Sequence, residues 1–110
     1  MDIELNEIID SYNQYVSKIP TGCMRVVELF QQDKSVIALE QVANFSEGIS
    51  WLISAKNYLI ANDINITWNE QALIEFLKEI NSGLEIQDYV LVTDLFEYEI
   101  IPFFENVDAI

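Results

Sequence analysis

An apolar stripe with helical spacing begins at Leu5 and keeps its phase as far as Phe30, running straight past Pro20. With successive residues set about 100° apart, Leu5, Ile8, Ile9, Tyr12, Tyr15, Val16 and Ile19 share one face. Cys23, Val26, Val27 and Phe30 continue it, and Asp2, Asn6, Asp10 and Asn13 fall opposite. Two independent helices have no reason to share a phase. The stripe therefore predicts one long helix over residues 3–32, kinked at Pro20, whose ring removes a donor and crowds the preceding turn. A break at Ile19–Thr21 followed by a fresh helix is the alternative.

Only 3 Gly and 2 Pro occur in 110 residues, which leaves few places to turn. The remaining chain reads as three more helices. One follows QQDKS, with Asp33 or Ser35 as its cap, and runs to Ala61. Its core stripe is Ala38, Val42, Phe45, Ile49, Leu52, Ile53 and Ile60, widened by a second stripe of Ile37, Trp51, Ala55 and Tyr58, and Gly48 inside it suggests close approach of a neighbouring helix. The next opens on the capping-box pattern Thr67-Trp-Asn-Glu70 and stops at Gly83. The last begins near Ile86 to Asp88 and runs through Pro102 to about Asn106, with Tyr89, Leu91, Val92, Leu95, Phe96 and Phe103 inward and Ile101 outward. Four helices with short connections predict an all-α, up-down four-helix bundle, as a single domain over residues 1–110.

Charge narrows the functional classes. Nineteen acidic residues against five basic give a net charge of −14. Nucleic acid and anionic membrane surfaces are disfavoured, because both are held chiefly by Lys and Arg. A basic protein partner is the natural complement, although such charge also keeps a small protein soluble. The start MDIELNEIID has no basic, apolar leader pattern, and no segment is apolar for the roughly 18 residues a spanning helix needs. The single Cys23 has no internal partner for a disulfide, which points to a reducing, cytoplasmic setting.

The absence of histidine removes Ser-His and Cys-His nucleophile arrangements, Glu-x-x-His di-iron sites and the usual zinc sets. No calcium-loop or phosphate-loop pattern occurs, so no cofactor is implied. Cys23 lies on the apolar stripe and reads as core filler. Two charged residues stand out instead. Glu99 falls in the middle of the last helix's apolar arc, within YEIIPFF, and Lys56 falls between Ile49, Leu52, Ile53 and Ile60. A lone buried charge is costly, so the two are expected to form an inter-helix salt bridge that sets register. Trp68, Ile74 and Ile101 lie on or beside polar arcs and are the candidate surface for a partner or a second copy.

Two stretches, GISWL at 48–52 and DYVLVTDLFEYEIIPFFE at 88–105, carry a recognisable pattern. It comprises Gly48 and Trp51, then Asp88, Tyr89, Asp94, Leu95, Tyr98, Glu99 and Pro102. In this the chain resembles small, acidic, all-helical proteins of Gram-positive bacteria. The resemblance implies a helical fold and no particular activity. The reading that results is a bacterial protein-interaction module, of adaptor, chaperone-like or immunity-like type, binding a basic or amphipathic protein. A small structural or regulatory homodimer is the alternative, and an enzyme is not expected.

Overall fold

The computed structural model describes residues 3–110; Asp2, assigned above to a polar helix face, lies outside them. The chain is all-α. Helix α1 spans Ile3–Gln31, α2 Ser35–Ala61 and α3 Glu70–Glu85. The last helix has three consecutive parts: α4 (Tyr89–Leu95), a π-helical turn (Phe96–Ile100) and α5 (Ile101–Glu105). α1 continues through Pro20 without a break. Among the described residues, no helix is long and apolar enough to cross a membrane.

The chain turns without using its glycines. Asp33, Asp63 and Gln87 adopt φ of 58°, 66° and 56°, and no glycine has positive φ. Each of the three follows a helix end in the same way. The amides of Asp33, Asp63 and Gln87 donate to the carbonyls of Phe30, Ile60 and Leu84. The next amides, of Lys34, Ile64 and Asp88, donate five residues back to Leu29, Leu59 and Gly83. This is the Schellman arrangement, which satisfies carbonyls that a helix end otherwise leaves open. Asp tolerates the left-handed region better than most residues, so two of the three sites suit their occupants.

These turns correct three sequence expectations. Asp33 is consumed by the turn, and α2 begins after Lys34 with no side-chain cap. Gly83 does not stop α3, which runs on to Glu85; it lies at the packing interface, where an added Cβ would come 2.8 Å from a methyl of Val92. Thr67 and Glu70 form no capping box. The extended residue before the helix is Asn69, and its Oδ1 accepts from the amides of Gln71 and Ala72 at 3.0 and 3.4 Å.

Aromatic contacts fix the topology. Phe30 stacks on Tyr89 with centroids 5.3 Å apart at one end of the molecule. At the other end the Ile110 amide donates to Asn13 Oδ1 at 2.8 Å, so the last helix runs antiparallel to α1. Phe45 of α2 meets Phe96 and Phe104 edge-on, at 5.1 and 6.5 Å. Gly83 faces Val92, and Phe76 meets Phe103 at 5.7 Å, so α3 runs antiparallel to the last helix. The order is up-down-up-down. With α1 and α2 much longer than α3, the molecule extends 48 × 22 × 20 Å. At 1.5 Å per residue, a 29-residue α1 accounts for most of the long dimension.

Gly48 behaves as its position suggested. The Tyr15 hydroxyl occupies the space a Cβ would need, and the Tyr15 ring leans edge-on against Trp51 at 5.8 Å. Elsewhere on α2 the buried face is shifted from the sequence reading. Ala55 is buried as read, but Leu59 is inside in place of Ile60, and Ile37, Trp51 and Ile60 are exposed.

Candidate docking groove

The π turn answers the question posed by Glu99. At helical phase, the buried residues Val92, Leu95 and Phe96 would be followed inward by Glu99 and Phe103. The wide turn adds one residue, with the Ile101 amide reaching back to the Phe96 carbonyl. The buried set after it becomes Ile100, Ile101 and Phe104. Glu99 is rotated out to solvent, and so is Tyr98. Pro102 has no N–H to close an α-helical bond on Tyr98, so the wider turn forfeits no donor at that position.

The predicted Lys56–Glu99 bridge therefore does not form. Lys56 turns to the connection before α3. Its Nζ donates to the Trp68 carbonyl at 3.2 Å, lies 4.5 Å from the centre of the Trp68 ring, and is 4.0 Å from Glu70 Oε1. Trp68 in turn donates from Nε1 to the hydroxyl of the fully buried Tyr12 at 2.7 Å. This polar seam ties α1, α2 and the entry to α3. Burial raises the Tyr12 pKa, opposed by the hydrogen bond from Trp68.

The candidate surface of Trp68, Ile74 and Ile101 is also corrected. Trp68 is half-buried by the seam and by Phe103, whose ring centre is 6.3 Å away. Ile74 is half-buried, and Ile101 is buried because the π turn carries it inward. Cys23 is core, as read, and burial pushes its thiol up to about 12.

What the structure does open is a groove of about 470 Å³ between α3 and the last helix. Leu95 is its buried floor; Leu91 and Tyr98, 46% and 68% exposed, are its apolar walls. Glu79 lines it from α3, and Asp94 and Glu99 from the last helix. None of these three carboxylates has an ion-pair partner among the described residues. The one cation lining the groove, Lys78, is engaged by Glu75 at 3.5 Å. Sequence reasoning placed Leu91 inward and missed the groove. The available signal was Pro102 within an apolar run that carries two more large residues, Ile100 and Phe104, than one helical face can hold.

Four of the groove residues, Asp94, Leu95, Tyr98 and Glu99, belong to the pattern by which the sequence resembled a set of small helical proteins. No curated protein and no solved structure matches the chain. The model of the family described as Domain of unknown function (DUF8042) matches residues 7–109, and the chain belongs to that family.

Proposed function

We propose that the protein is a cytoplasmic interaction module, rather than an enzyme, and that the groove between α3 and the last helix receives a basic amphipathic helix from a partner protein. The observation that carries this reading is the groove itself: apolar side chains exposed between unpaired carboxylates. A helix laid in such a groove buries its apolar face and sets Lys or Arg at the rim. Charge complementarity mainly speeds association and selects the partner, while the apolar contacts with Leu91 and Tyr98 hold the complex. A π turn is a frequent companion of functional sites, and here it delivers both Tyr98 and Glu99 to the groove.

The test uses two designed peptides of about 15 residues with the same leucine spacing, one with lysines on the polar face and one with glutamates. Amide chemical shifts of the labelled protein are followed during titration. The reading expects the lysine peptide to perturb residues around Leu91, Asp94 and Glu99, with weaker binding as salt rises, and no response to the glutamate peptide. Equal binding of both peptides, or shifts outside the groove, would overturn it.

A homodimer has an observation of its own. Val36, Ile86 and Val90 are 74%, 70% and 74% exposed at the end of the bundle where α2 and α4 begin. Sedimentation equilibrium distinguishes the two readings. A dimer that Val90→Lys dissociates favours this second one.

A further inference from the structure

A second opening lies between α1 and α2, lined in part by Phe45, whose ring also meets Phe96 of the last helix. It has a volume of about 160 Å³, and Tyr15, Ile19, Cys23, Val26 and Phe45 supply its apolar wall. An apolar cavity of about 150 Å³ is large enough to take up benzene. The polar groups at its edge are Lys18, Gln41 and Asn44. Among the described residues, no carboxylate lines it and Lys18 has no ion-pair partner.

The two glycines of this region differ in purpose. Gly48 makes room for the Tyr15 hydroxyl. Gly22 makes room for nothing in the chain: a Cβ added there meets no atom within 4 Å, and its backbone is not left-handed. Glycine in the middle of a helix is unfavourable. At Gly22, which lines the opening, what the missing side chain preserves is the cleft.

We propose that this cleft binds a small monocarboxylate with an apolar body of about six to nine heavy atoms, the size set by the benzene comparison. The body lies against Cys23, Val26 and Phe45. The carboxylate accepts from the Lys18 ammonium and from the side-chain amides of Gln41 and Asn44. The site is separate from the docking groove and does not depend on it.

The probes are benzoate and its neutral counterpart benzyl alcohol, each titrated into the full-length, isotope-labelled protein. Benzoate is expected to shift the amides of Lys18, Gly22, Cys23 and Asn44 and to bind about tenfold more tightly than the alcohol, the effect of a charge-assisted contact. Lys18→Met should reduce that ratio to about one. Gly22→Leu, checked for native helicity, should abolish binding of both. Absence of any response up to about 10 mM, equal affinity for the two probes, or unchanged benzoate binding in folded Gly22→Leu would each overturn the proposal. Should Gly22→Leu fail to fold, the Lys18→Met ratio decides alone: a ratio unchanged from the parent protein overturns the assignment.

Discussion

The seam at Lys56 and the groove at Glu99 hold the same kinds of side chain and use them in opposite ways. At the seam, each polar group turned inward meets a partner: Lys56 finds the Trp68 carbonyl and Glu70, and the Trp68 indole finds Tyr12. In the groove, Glu79, Asp94 and Glu99 stand without ion-pair partners among the described residues, beside exposed Leu91 and Tyr98. A buried polar group without a partner costs stability, so the seam has to be satisfied within the chain. Exposed carboxylates are under no such demand. Their grouping around an apolar wall in a chain of net charge −14 instead adds repulsion, which a cationic partner relieves. The seam ties elements of the fold together, and the groove carboxylates make no ion pair within it among the described residues.

Breaking the seam should have the largest effect. Trp68→Ala removes an indole packed on Phe103 and beneath the Lys56 ammonium, and leaves the Tyr12 hydroxyl without its donor, although the backbone carbonyl that Lys56 bonds remains; a loss of about 3–5 kcal/mol is expected by denaturant titration. Tyr12→Phe keeps the ring but orphans the Trp68 N–H, at about 1–3 kcal/mol. Lys56→Met gives up one hydrogen bond and a weak ion pair while retaining apolar bulk, so about 1 kcal/mol is expected. A larger loss for Lys56→Met than for Trp68→Ala would mean that the cation, not the indole, organises the seam.

The glycines sharpen the same contrast between sites committed to the fold and sites left open. Gly48→Ala drives the Tyr15 ring from its place and should destabilise by about 1–3 kcal/mol, as overpacking does. Gly22→Ala meets open space and should stabilise by up to about 1 kcal/mol. Thermal melts of the two variants should move in opposite directions.

Alkaline pH tests the buried acids. Burial raises Cys23 from 9.0 to about 12. It also raises Tyr15 from 10.0 to about 12, assisted by the neighbouring Cys23. Both groups are neutral in the fold where they would already ionise in the unfolded chain. Between pH 9 and 12 the unfolded state therefore binds fewer protons, and stability falls as pH rises. Below pH 9 this contribution is fully present. Cys23→Ala should move the onset of the fall toward pH 10, read from melting temperature against pH.

The helices were legible in the sequence because an apolar stripe reports burial directly. The whole of α1 was read across Pro20, since the phase on either side agreed. Gly48 alone anticipated the close approach of a neighbouring helix, though not that the Tyr15 ring makes it. What was not legible depended on hydrogen-bond geometry that leaves no periodic trace. Asp33 and Gly83 have residue types suited to two different jobs, and only the placement of the left-handed residue decides between them. The π turn is a single extra residue, yet it reverses Glu99 and Ile101 between inside and outside. The absent salt bridge and the burial of Ile101 both follow from that one residue, whereas Trp68 is drawn in by the seam with Tyr12 and Lys56.

The most direct measurement neutralises the groove and reads two properties from the same protein. In the double variant Asp94→Asn, Glu99→Gln, the melting temperature and the affinity for the lysine peptide are compared with those of the parent. Removing two carboxylates that serve no contact within the fold should leave the melting temperature unchanged or slightly higher, as repulsion eases. The same change should weaken peptide binding about tenfold and flatten its salt dependence. A lower melting temperature with peptide affinity unchanged would place these carboxylates among the structural groups and contradict the account.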